Sequence, residues 1–287
     1  MATAVETRGV RIFMRVTSVL VLAFLYVPLA VIFLYAFNST VGQKWPPSAL
    51  TTHWFGVAWR NTEVREALFT SVRAALGATV IALGLGSLAA FAVHRFKFFG
   101  REALSFVLVL PIALPGIITG LALNSAISSS GLSFSLLTII VGHATFCVVV
   151  VYNNVIARLR RTPGSLVEAS MDLGADGWQT FRYVIWPNLA TALVAGGLLA
   201  FALSFDEVVV TIFTAGPQIT LPIWIFNNLL RPTRLPQVNV VAMVVVLASF
   251  VPVYLAVRLT REPAPGRFPA EVVPKPQEQL AVASAAV

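Results

Sequence analysis

Between Ala103 and Ala157 the chain runs for 55 residues without an Asp, Glu, Lys or Arg. A water-exposed globule carries charge throughout, about 25% of its residues, whereas here only 11% are charged and 57% are hydrophobic over 287 residues. Three further charge-free runs, Val16–Phe37, Ala74–Val93 and Val238–Val257, each reach the ~20 residues that a helix needs to cross a bilayer. The long run divides at Ser128-Ser129-Ser130-Gly131, too polar and turn-prone for lipid, into Ala103–Ile127 and Phe134–Ile156. Asn188–Thr211 is apolar except for Asp206 and Glu207. The expected fold class is all-α integral membrane, with six transmembrane helices.

An even number of crossings puts both ends on one side. If that side is the cytoplasm, the inner segments hold 14 of the 20 Lys and Arg: Arg8, Arg11, Arg15, Arg95, Lys97, Arg101, Arg158, Arg160, Arg161, Arg182, Arg258, Arg261, Arg267 and Lys275. This asymmetry satisfies the positive-inside rule. The net charge of +8 therefore reads as orientation, and no nucleic-acid partner is expected, since no soluble domain gathers the basic residues on one face. Val16–Phe37 is too long for a signal-peptide core and is expected to stay as an anchor. A single cysteine, Cys147, excludes an internal disulfide. The expected organisation is a cytoplasmic N-terminus over 1–15, a membrane domain over 16–260, and a proline-rich, disordered cytoplasmic tail over 261–287.

Within the helices, several residues depart from plain hydrocarbon packing. Trp45 and Trp54 in the outer loop suit a belt at headgroup level. Gly77, Gly84 and Gly86 permit close helix contacts. "LPIALPGIITG" (110–120) sets Pro111, Pro115, Gly116 and Gly120 in one crossing, which frees carbonyls and suggests a hinge or a pathway lining. His143 and Cys147 share a helix face but are too few for a zinc site, so His143 is expected to hydrogen-bond between helices and no metal is expected. Asn153 and Asn154, near the inner end, read as interhelical glue or interface residues. Ionisable groups at membrane depth face a bundle interior or an aqueous cavity, so Asp206 and Glu207 are candidate pathway residues, with a pairing to Arg73 or to a group on a partner chain as the structural alternative. "ITLPIWIFNNLL" (219–230) is too short to cross and reads as an interfacial or re-entrant helix.

The segment 158–187 is of another kind. Pro163-Gly164 ends the incoming helix, Ser165-Leu166-Val167-Glu168 spells a capping box, and Gly174 suits the left-handed residue that stops a short helix. Asp176 with Gln179 spells a second capping box, for a helix carrying Trp178, Phe181, Arg182 and Ile185, and Pro187 is expected to end it. A bare connection needs only a handful of residues. Thirty residues with two caps and exposed aromatics point to a docking site, with small Ala169 and Ser170 allowing close backbone approach.

These residues resemble the EAA loop of ABC-importer permeases: Glu168-Ala169-Ser170, three residues, Gly174, nine residues, then Val184-Ile185-Trp186-Pro187. Ser170, Val184 and Trp186 depart from the pattern; Glu168, Ala169, Gly174 and Pro187 match it. "LPIALPGIITGLAL", "VGHATFCVVVVYNN" and "FALSFDEVVVTIFTAGP" are similar to the spermidine/putrescine (PotC-like) branch, and most to its YdcV-like members. The resemblance implies the type I (MetI-like) permease fold in a bacterial inner membrane. It implies an ABC ATP-binding subunit dimer, a second, PotB-like permease subunit and an extracytoplasmic substrate-binding protein as partners. It assigns Glu168, Ala169, Ser170, Asp172, Gly174, Asp176, Trp178, Phe181 and Pro187 to coupling with the ATPase, and Asp206, Glu207, Pro115, Gly116 and Asn124 to the pathway of a small cationic or amine-containing solute. PotC-like permeases carry an acid near the position of Gly116; its absence leaves amines other than polyamines, and amino acids, open.

The chain has no G-x-x-x-x-G-K-[ST] phosphate loop, so no cofactor is expected in it, and ATP with its magnesium belongs to the partner ATPase. An intramembrane enzyme needs a cluster of reactive side chains at depth, and the sequence offers scattered singles. A membrane anchor or sensor that docks a partner without transport is the rival of another class.

Overall fold

The computed structural model describes residues 8–260. Residues 1–7 of the expected N-terminal segment and the tail 261–287 lie outside the described residues. The described chain is helical, in the order α1 (Arg8–Ala36), α2 (His53–Arg60), α3 (Thr62–Arg95), α4 (Arg101–Ala113), α5 (Gly116–Ser129), α6 (Leu136–Arg161), α7 (Gly164–Asp172), α8 (Gly177–Thr180), α9 (Trp186–Phe205), α10 (Val209–Thr214), α11 (Leu221–Asn228) and α12 (Leu235–Thr260). Among the described residues five helices are long and apolar enough to cross a membrane, and six crossings result if the bent pair α4–α5 is one of them.

The centre of the bundle is the packing of α3, α6 and α9. α3 presents Ala74, Ala78, Ala82, Gly86 and Ala90, all buried and each four residues from the last. That spacing makes a ridge of small side chains into which a second helix can lie closely, the main source of adhesion where lipid removes the hydrophobic drive. α6 fills it with Phe146, Val151, Tyr152, Val155 and Leu159, and α9 closes it with Leu189 and Ala200. A Cβ at Gly86 would stand 2.8 Å from the Val148 carbonyl oxygen, and one at Gly77 would press on Ile140. Gly84, expected to serve the same purpose, has no described atom within 4 Å of its Cβ position, because it points away from α6.

A second cluster sits at the other end, where Ala36, Ala58, Val64, Leu221, Trp224 and Val241 meet. Trp54 joins it, half-buried, with its Nε1–H donated to the Asn38 carbonyl at 2.9 Å, so of the expected pair it is the exposed Trp45 that suits a headgroup belt. α11, expected as an interfacial or re-entrant helix, packs its first half into this cluster. Leu221, Pro222, Ile223 and Trp224 are buried, the Leu221 N–H donates to Ser71 Oγ at 2.8 Å, and Trp224 Nε1 donates to Glu63 Oε2 at 3.2 Å.

Two expected crossings are not straight helices. The third breaks at Leu114-Pro115, where α4 and α5 meet at 105°. A residue before proline is pushed to the extended region, and Leu114 lies there at φ −82°, ψ 143°. The fifth, expected to run unbroken to Thr211, stops at Phe205 and restarts as α10 after Asp206-Glu207-Val208. Ser128–Gly131 ends α5 as expected, with Gly131 at φ +71°.

Candidate functional site

The first candidate is the elbow formed by α7 and α8. α7 ends in a Schellman motif: the Ala175 N–H donates to the Ser170 carbonyl at 3.1 Å and the Gly174 N–H to that of Met171 at 2.9 Å. The motif needs a left-handed residue, and Gly174 supplies it at φ +84°. Asp176 and Gln179 form the expected capping box, each side chain accepting from the other's backbone N–H, at 2.8 and 2.9 Å. Ser170 Oγ lies 3.1 Å from the buried Thr180 Oγ1 and ties the two short helices together. The Ser165–Glu168 box does not form. Pro163 stands at the N-cap, so the helix begins two residues early and Ser165 falls inside its first turn.

Pro187 does not end the second helix. A π turn over Phe181–Ile185 carries α8 into α9, with the Trp186 N–H bonded to the Phe181 carbonyl. A proline ring collides with the carbonyl four residues earlier, and one widened turn removes the collision. Gly177–Phe205 is thus one helix. Glu168, Ala169, Asp172, Asp176 and Trp178 are exposed, and Phe181 is half-buried between Phe91 and Trp178. Leu173 is 89% exposed and Trp178 66%, large apolar groups on a projecting, well-capped structure. A groove of about 400 Å³ runs beneath, lined in part by Phe91, Leu159, Val167, Met171 and Ile185.

The second candidate is the break between α9 and α10. Glu207 Oε1 accepts from the Val210 N–H at 2.9 Å and caps the first turn of α10. The Asp206 backbone N–H donates to the Ala202 carbonyl at 3.3 Å, but its side chain makes no hydrogen bond or ion pair with another described residue, and Arg73, the alternative partner expected within this chain, is exposed on α3. The Asp206 carboxylate is the one ionisable group lining a cleft of about 220 Å³ whose walls include Phe205, Pro222, Ile225, Phe226 and Val245. α5 packs along α10: Asn124 Nδ2 donates to the Phe213 carbonyl at 2.7 Å, and a Cβ at Gly116 would meet Val209 at 3.4 Å. Pro115 is the N-cap of α5, at the corner of the bent pair. The structure therefore sets Gly116 and Asn124 against α10, the helix that follows Asp206 and Glu207, with Pro115 at the corner of the bent pair.

His143 is buried and bonds between helices, as expected: Nδ1 lies 2.8 Å from Ser204 Oγ and Nε2 2.8 Å from Thr211 Oγ1. Ser204 and Thr211 were missed in the sequence, although two hydroxyls seven residues apart in apolar surroundings share a helix face. Asn154 bonds to the Val150 carbonyl of its own helix while its Cβ packs against Gly196 of α9, and Asn153 is exposed as an interface residue would be. Among the described residues no three His, Cys, Asp or Glu come together as a metal site would require.

Residues 82–261 match the family model described as binding-protein-dependent transport system inner membrane component. The putrescine transport system permease protein PotI of Escherichia coli K12 is 32% identical over 83% of this chain and 89% of its own length. The spermidine/putrescine transport system permease protein PotC of Haemophilus influenzae is 31% identical over 88% of this chain and 98% of its own. Among solved structures, a chain of a bacterial ABC transporter that imports the acidic polysaccharide alginate superposes with a TM-score of 0.67 at 18% identity, covering 91% of this chain and 100% of that one.

Proposed function

Because the chain belongs to the family of binding-protein-dependent transport system inner membrane components, we propose that it forms half of the pathway of an ATP-driven importer for an amine-bearing solute, worked by a separate ATPase through residues 164–187. Its fold is that of the type I, MetI-like importer permeases. The observation that carries the reading is the single helix from Gly177 to Phe205, 29 residues with the capped elbow at one end and Asp206 just past the other. At 1.5 Å per residue it spans roughly 43 Å, more than the hydrocarbon thickness.

The ATPase dimer grips the elbow through the exposed Leu173, Trp178 and the polar face carrying Glu168, Asp172 and Asp176. When the dimer closes on ATP it moves the elbow, and the rigid helix carries that motion to the break at Asp206–Val208. A second, PotB-like permease supplies the other wall, and an extracytoplasmic binding protein delivers the solute. Relatives that transport putrescine and spermidine support an amine as the cargo. An ammonium group meets the unpaired Asp206 carboxylate, and its aliphatic stem lies against Phe205, Ile225 and Phe226. Both termini are cytoplasmic in this reading.

The test is ATP-dependent uptake of radiolabelled putrescine into vesicles holding the complete importer. Asp206→Asn keeps the side chain's shape and removes its charge, so solute moved per ATP hydrolysed falls on the order of 10-fold while all subunits still assemble. An unchanged ratio overturns the role of Asp206. Uptake of a non-amine solute in place of every amine offered overturns the cargo class.

A further inference from the structure

The bonds around His143 have only one consistent assignment. Thr211 donates its hydroxyl hydrogen to the Glu207 carbonyl at 2.6 Å, so towards the ring its oxygen can only accept. His143 Nε2 must therefore carry a hydrogen, and in the uncharged ring Nδ1 accepts from Ser204. The result is a directed chain from the Ser204 hydroxyl through Nδ1 and Nε2 of His143 to the Thr211 hydroxyl and on to the Glu207 carbonyl. Ser204 stands before the break and Thr211 after it. All three side chains are buried, at 2%, 1% and 0% exposure. Glu207 is pinned twice, by its carbonyl in this chain and by its carboxylate on the Val210 N–H, while the carboxylate of Asp206 is pinned by nothing.

We infer that His143 is the positioning residue of the break: through Ser204, Thr211 and the Glu207 peptide it clasps the two halves of the fifth crossing and so leaves the Asp206 carboxylate facing the cleft. This rests on the reading of Asp206 as a solute contact. It goes beyond it in assigning to a residue on another helix, one that touches no solute, the orientation of the acid. The requirement is a donor at one end of the side chain and an acceptor at the other. A carboxamide meets that pattern and a hydrocarbon does not.

The complete importer in vesicles, with radiolabelled putrescine as probe, separates these. His143→Leu lowers putrescine moved per ATP hydrolysed on the order of 10-fold, a shift of about 1.4 kcal/mol in the coupled step, whereas His143→Gln stays near the parent. A defect of assembly alone would reduce uptake and hydrolysis together and leave their ratio intact. Cys147, one turn along α6 and buried against the Ala200 carbonyl at 3.4 Å, reports on the clasp itself. N-ethylmaleimide labels it in His143→Leu and spares it in His143→Gln, read by the mass of this chain. If His143→Leu does not assemble, Thr211→Val and Thr211→Ser give the same contrast, with Thr211→Ser retaining function.

Leucine and valine variants with a parental ratio and an unlabelled Cys147 overturn the proposal, as does a glutamine variant that fails like leucine. Asp206→Asn measured alongside keeps the two readings apart. If it retains the ratio while Cys147 labelling still follows the His143 series, the clasp stands and the solute contact falls. If it loses the ratio while the His143 and Thr211 variants do not, the solute contact stands and the clasp falls.

Discussion

Gly174 sits at φ +84° with no described atom within 4 Å of where a Cβ would stand, so its contribution is a backbone angle and not a lack of room. A non-glycine residue held in that region costs about 1–2 kcal/mol, less for Asn, whose short polar side chain tolerates it, and more for a β-branched residue. Gly174→Asn therefore keeps most of the elbow, Gly174→Ala loses some of it, and Gly174→Val loses most. Co-purification of the ATPase with the permease should fall in that order; equal recovery with Val removes the elbow from the docking surface. The two capping boxes show how far such details can be read from spelling. Ser165–Glu168 and Asp176–Gln179 fit the pattern equally well, but only the second forms, because Pro163 starts α7 two residues too early for Ser165 to stand at the cap.

At the scale of elements, the same bundle holds one helix that ought to break and does not, and one that breaks where no proline stands. Pro187 is absorbed by a π turn, so α8 and the fifth crossing as far as Phe205 form one continuous helix. The interruption at Asp206–Val208 has no proline. It is held by contacts from α6 and α5, which reach it from more than sixty residues away in sequence. The α3–α6 seam offers a direct test of packing. Gly86→Leu drives a side chain into the α6 backbone at Val148, and overpacking of this kind costs about 1–3 kcal/mol. A lower melting temperature in detergent is expected, and Gly84→Leu, on the same helix but facing open space, should leave it unchanged. Equal effects at the two positions would refute the seam.

For the whole molecule, the placement of the basic residues on the helices makes the proposed orientation testable. Arg95, Lys97 and Arg101 lie at the same end as Arg158, Arg160 and Arg161, the end that carries the elbow. A green fluorescent protein fused after Thr260 should therefore fluoresce, and alkaline phosphatase at that position should be inactive, with the opposite result for fusions after Gln43. The reverse pattern would place the elbow outside, away from ATP. α4 has no buried residue and α1 buries only Tyr35 and Ala36, so both leave apolar faces for lipid or for a second permease. Membership in a transport family disfavours the anchor or sensor considered from sequence, which would not need a broken crossing with an acid at the break.

What the amino-acid order settled by itself was everything carried by neighbours along the chain. Charge-free length required the membrane, and Gly174 with Asp176 and Gln179 shaped the elbow, because hydropathy, caps and turns act over a few residues. The tertiary structure alone decided which glycines face a partner helix, whether Pro187 kinks or is accommodated, and which of two adjacent acids stays unpaired. Those outcomes depend on groups brought together from distant helices, as when His143 meets Ser204 and Thr211, and no local pattern encodes that meeting.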